Sequence, residues 1–199
     1  FVALLSTSCD NDDDAVVPIT PQEQTIATIA SNNSEFTSLV AALNRAGLTA
    51  TLNSSGNFTV FAPTNTAFDA FLDANNFINL EAVPIPLLRE VLLNHVIADE
   101  LFADELTTTY VKTLGKGSAS STNTLSMFVD TSSGVRLNGV ANVTQADINA
   151  SNGVIHTVNA VIGLPTIVTH ATANSNFSSL VAALTRSDQT DQNFVGILS

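Results

Sequence analysis

Three histidines, His95, His156 and His170, and one cysteine, Cys9, are the side chains best suited to hold a metal or attack a carbonyl. A zinc site needs several imidazoles, thiolates or carboxylates converging on one point. No HxH or HxxxH spacing occurs, and a lone cysteine builds neither a thiolate cluster nor an internal disulfide. His95 and His156 sit in apolar stretches, where a hydrogen-bonded core imidazole is commoner than a ligand. No metal and no cofactor are expected. Asp99-Glu100 and Asp104-Glu105 follow His95 closely. Paired carboxylates do acid–base work only where an enclosed cleft separates their pKa values. Nothing in this polar stretch implies enclosure, so a solvated face is expected. Calcium would require the spaced ligands of an EF-hand, which are absent. Serines are abundant, yet there is no G-x-S-x-G elbow and no glycine-rich phosphate loop after a strand. No catalytic residue is assigned, and the chain is expected not to be an enzyme.

The elements that must carry these residues follow from periodicity. Thr20-Pro21-Gln22-Glu23 has the pattern of a capped helix start. Ser34 can cap a second helix, with Phe36, Leu39, Val40 and Leu43 on one face and Gly47 at its end. Residues 48–52 read as a strand, 53–57 as a turn and 58–61 as another strand. Thr64 can cap a helix bearing Phe68, Phe71 and Leu72, and Pro86 can start one bearing Leu87, Leu88, Val91, Leu92 and His95. From Tyr110 onward the pattern turns to strands: 125–129 and 135–137 as a hairpin, then 154–158 and 160–162. Helices before most of the strands argue for an α+β fold.

The chain has 199 residues, 45% of them hydrophobic, with 11 Phe, enough for a sizeable core. Its formal charge is −12, from 18 acids and 6 bases. That sign repels nucleic acid and anionic headgroups, and no basic stripe offsets it. Phe1-Val2-Ala3-Leu4-Leu5 is apolar, ends in small residues at Cys9, and precedes the acidic run Asp10-Asn11-Asp12-Asp13-Asp14. This order resembles a bacterial lipoprotein signal, in which the cysteine is lipidated, although Ser6 stands where Leu is usual. The alternative is an ordinary signal with an incidental thiol. An acidic run after the anchor resembles a surface-export tag; a plain solvated spacer has the same composition. Neither an initiator Met nor a basic leader precedes Phe1, so the chain reads as a fragment at that end.

An internal repeat is also visible. Thr25-Ile26-Ala27-Thr28 recurs as Thr166-Ile167-Val168-Thr169, and residues 33–43 recur as 174–184. One domain length separates the copies, so this is duplication of a whole domain rather than a solenoid. Expected bounds are a signal remnant at 1–9, a tether at 10–20, one domain at 21–165 and the start of a second, truncated domain at 166–199.

Three segments together resemble the fasciclin domain family. They are 58–68, containing Phe61, Pro63, Thr64, Asn65 and Phe68; 92–97, containing His95; and 152–165, containing Gly153, Val154, Ile155 and His156. The resemblance implies a fasciclin-type β-wedge of two sheets flanked by helices, with the first and last motif strands adjacent in the core. It implies adhesion without chemistry in the domain. Partners would be an extracellular polysaccharide, a matrix protein or a cell-surface protein; the membrane would be met only through the lipid anchor, and nucleic acid not at all. Asn94 stands where the family often has Tyr, in a region linked to integrin binding in animal members, which weakens an integrin reading. The expected location is the cell envelope, on the outer membrane and surface-exposed. Exposed loops at 98–109 and 116–123 are the expected contact surfaces. The rivals are carbohydrate capture, and an envelope scaffold lipoprotein associated with an enzymatic partner.

Overall fold

In the computed structural model of the chain, residues 24–118 and 120–185 are described. Cys9, the acidic tether, the helix start expected at 20–23 and residues 186–199 lie outside them. The β-forming run Phe58-Thr59-Val60-Phe61-Ala62 makes strand β1 (Phe58–Pro63), buried along nearly its whole length. It lies parallel to β7 (Gly153–Val158), with Val60 opposite Ile155 and Phe61 opposite His156. The first and last motif strands are therefore neighbours in the core. A short strand, β2 (Val96–Ile97), flanks β1 on its other side. Beyond β7 run β6 (Ala141–Ala150), β5 (Arg136–Leu137), β4 (Ser126–Asp130) and β3 (Thr109–Lys112), all antiparallel. Strand β6 joins two sheets: its first residues pair with β5, and the stretch from Val143 to Ala150 pairs with β7.

Strand alternation divides the apolar side chains between two cores. Val60, Ala62 and Ile155 face helices α1 (Ile26–Asn32), α2 (Thr37–Ala46), α3 (Thr49–Asn53), α4 (Asn65–Ala74) and α5 (Ile85–Leu93). Phe61 and Val158 face the other way, onto Met127, Val129, Leu137 and Ile162. Two further helices, α6 (Ile167–Ala173) and α7 (Ser178–Leu184), follow the sheet.

Several expectations change in three dimensions. Residues 49–53 are helical rather than extended. Leu48 and Leu52, four apart, satisfy a period of two and a period of 3.6 alike, and both are buried on the helical core. Residues 160–162 form no strand, although Ile162 is fully buried. Asn33, not Ser34, caps the 3-10 turn Ser34–Phe36 that leads into α2. Helix α1 begins at Ile26, with Thr25 as its cap. The hairpin across 131–134 forms as expected, with Val129 opposite Leu137. Gly47 ends α2 in the left-handed region, at φ 67°.

Candidate functional site

The motif residues assemble around the β1–β7 pair. Phe61 is fully buried and stacks on the His156 ring at 5.5 Å between centroids. Pro63 ends β1, and the Thr64 hydroxyl accepts the Ala67 amide at 3.3 Å to cap α4, which brings Phe68 into the core. Asn65 reaches across to the start of α2. Its Oδ1 accepts from the Ser38 amide at 2.9 Å and the Thr37 hydroxyl at 3.1 Å, and its Nδ2 donates to the Ser34 carbonyl at 2.8 Å. The cap that α2 lacks locally is thus supplied by a tertiary contact. Gly153 has φ 140°, and a Cβ there would lie 1.9 Å from the Phe58 carbonyl oxygen. Only glycine lets β1 and β7 approach so closely. Val154 and Ile155 are buried on opposite faces of β7.

Both motif histidines are neutral and fully engaged with backbone. His95 Nδ1–H donates to the Val91 carbonyl at 2.7 Å, and Nε2 accepts the Ile162 amide at 2.9 Å. Burial pushes its pKa down to about 4, against a small upward pull from the Val91 carbonyl. His156 Nδ1 accepts the Asp147 amide at 3.2 Å, and Nε2–H donates to the Leu101 carbonyl at 2.9 Å. Burial lowers its pKa too, while the Leu101 bond and the Asp147 carboxylate, 3.8 Å away, resist. An imidazole with both nitrogens committed has no lone pair left for a metal and no proton to exchange with a substrate.

The acidic loop after β2 is held from below by Thr59, His156 and Asp147. The Thr59 hydroxyl donates to the Asp99 carbonyl at 2.7 Å and receives the Leu101 amide at 2.9 Å. Asp147 accepts the Ala103 amide at 2.8 Å, and Glu105 accepts the Phe102 amide at 2.9 Å. Asp99, Asp104 and Glu105 themselves are exposed. They are not drawn into a cleft with His95. A cleft of about 440 Å³ lies elsewhere, between α4, α5 and residues 160–164, lined mainly by Ala67, Phe71, Leu87, Val91, Val161 and Leu164. No histidine or carboxylate lines it. Among the described residues no cluster of three metal-ligating side chains occurs.

Sequence reasoning missed three anchors. Asn152 is buried; its Nδ2 donates to the Leu52 and Ser54 carbonyls and its Oδ1 accepts the Ile26 amide. Thr59 looked like an ordinary strand residue. Asn94 is fully buried, donating to the Gly163 carbonyl at 3.0 Å and accepting from the Thr113 hydroxyl at 3.2 Å. The usable signal was a polar side chain inside an apolar run, since such a group must find partners.

The fasciclin domain profile matches residues 34–165, well over half of the chain. The chain belongs to the fasciclin domain family. It is 37% identical to protein sll1483 of Synechocystis over 147 residues, covering 72% of this chain and 75% of that protein. It is 35% identical to the Synechocystis protein sll1735, covering 69% and 96%. It is also 37% identical to the pig transforming growth factor-beta-induced protein ig-h3, covering 74% of this chain but only 20% of that much longer one. The solved FAS1 domain pair of the insect cell adhesion molecule fasciclin I superposes with a TM-score of 0.53 at 21% identity, covering 75% of this chain and 52% of that one. That likeness establishes a shared fold. As a fasciclin domain, the chain spends its motif residues on the β1–β7 junction and on the loop above it.

Proposed function

We propose that this chain is a non-catalytic adhesion module of the bacterial cell surface, held on the outer membrane by lipid at Cys9. Residues 10–20 act as its tether, 21–165 as one fasciclin domain, and 166–199 open a second. Its partner is an extracellular polysaccharide, a matrix protein or a cell-surface protein. The observation that carries this reading is the use of Thr59, His156 and Asp147 to pin the exposed acidic loop. A loop ordered before binding loses less freedom when it meets a ligand, so more of the contact energy becomes affinity. Repeated domains would add avidity on a repetitive polymer.

The net charge of −12 supports the exclusion of nucleic acid. The direct test is retention of the purified chain on immobilised neutral polysaccharides and matrix proteins, with an Asp99→Lys/Asp104→Lys double variant alongside. The expected result is binding that the variant loses while its thermal melt is unchanged. Binding indifferent to the loop would overturn the assignment of that surface. For the anchor, the native chain should enter the detergent phase on cloud-point partition of cell envelopes, and Cys9→Ser should move it to the aqueous phase.

A further inference from the structure

Helices α6 and α7 repeat the opening of the domain in detail. Thr166 caps α6 as Thr25 caps α1, and Asn174 caps a 3-10 turn as Asn33 does. Their environments, however, differ: Ala171 keeps the burial of Ala30, but the large apolar residues around it do not. Ile26, Phe36 and Leu39 are 1%, 0% and 3% exposed, whereas their counterparts Ile167, Phe177 and Leu180 are 62%, 42% and 47% exposed. On the opposite side, Thr28 and Asn32 of α1 face solvent, while their counterparts Thr169 and Ala173 are partly covered. What covers this outer side of α6 is the first domain. The His170 ring meets Tyr110 of β3 edge-on at 5.5 Å, and Asn174 Nδ2 donates to the Tyr110 hydroxyl at 3.4 Å. Ala173 lies so close to Gly139 that a Cβ on the glycine would stand 3.2 Å from the Ala173 Cα. The two copies differ at these contact positions: His170 and Ala173 replace Ile29 and Asn32.

We propose that α6 is a two-sided joint. Its outer side is seated on the first domain at Tyr110 and Gly139, and its inner side, with α7, receives the β-sheet of a second fasciclin unit on the same polypeptide. This rests on reading 166–185 as the opening of that unit. The first copy specifies the occupant, because the same face of α1 and α2 is covered there by Val60, Ala62 and Ile155 of the sheet, in one cluster with Leu88 and Leu92 of α5. An occupant must therefore offer small and branched apolar residues on alternate positions of paired strands. A helix held on both sides limits how far the units pivot about it.

Amide hydrogen exchange on the whole 199-residue chain tests the seat. The His170→Ile/Ala173→Asn variant, which restores the first copy's residues, should speed exchange in α6 about ten-fold or more while β1 and β7 stay unchanged. Unchanged exchange in α6 overturns the seat. Tyr110→Ala gives a second, independent reading of the same contact. For the inner face, residues 45–165 of the chain's own first domain are joined after Thr185. Protection of α6 and α7 rising to the level of α1 and α2 is the expected result. Helices that exchange as before, or a 199-residue chain that protects α7 through a concentration-dependent dimer, would overturn the assignment. None of these readouts involves an adhesive ligand, so a failed adhesion test leaves them intact.

Discussion

His95 shows how a titratable group can be structural. Its Nε2 accepts the Ile162 amide only while neutral, so protonation costs a hydrogen bond and places a charge in the core. The folded pKa, about 4, lies below the ordinary 6.5. The unfolded chain therefore binds the proton first as pH falls. Stability from this group is complete above about pH 6.5 and declines toward pH 4, by at most roughly 3 kcal/mol. Burial moves His156 the same way. Urea titrations at pH 7 and 4.5 should show this loss, and His95→Gln should be less stable at pH 7 but flatter between the two. Asn152 is the other residue to probe. Asn152→Ala abandons three hydrogen bonds, two of them buried, and should cost about 3 kcal/mol by the same titration.

At the scale of elements, two junctions hold the wedge. Gly153→Ala drives a methyl into the Phe58 backbone and adds strain at φ 140°. It should abolish cooperative folding, seen as loss of the thermal transition in circular dichroism. Asn65→Ala removes the tertiary cap of α2 and should lower stability by about 1–2 kcal/mol. Asn65→Asp should recover part of this, since Oδ1 alone serves the Ser38 amide. The longest strand, β6, escaped sequence analysis for a local reason. Register shifts between Val143 and Gln145 and between Gln145 and Ile148 interrupt its alternation, and Asp147 has φ 59°. A broken period of two reads as loop.

For the whole molecule, the excess of acids bears on the class of ligand proposed above. With a net charge of −12, the surface repels anionic ligands. Raising salt from about 20 to 200 mM should strengthen retention on an anionic polysaccharide and leave a neutral one nearly unaffected. A loss of binding with salt on the anionic polymer would point to a cationic contact surface and contradict the acidic-loop assignment.

Residue order alone determined the family, the α+β class, the adjacency implied for β1 and β7, and the repeat at 166–184. These are legible because they rest on local patterns: apolar periodicity, caps, and motif segments in fixed order. Tertiary structure decided the rest. A pentapeptide with leucines four apart becomes helix or strand according to the surface it packs on, and α3 packs on the helical core. Asn65, Asn94 and Asn152 acquire their roles from carbonyls and amides distant in sequence. The clearest case is the repeat: Ile26, Phe36 and Leu39 are buried, whereas their counterparts Ile167, Phe177 and Leu180 are exposed. Burial depends on which neighbours reach a helix, and no local pattern contains that information.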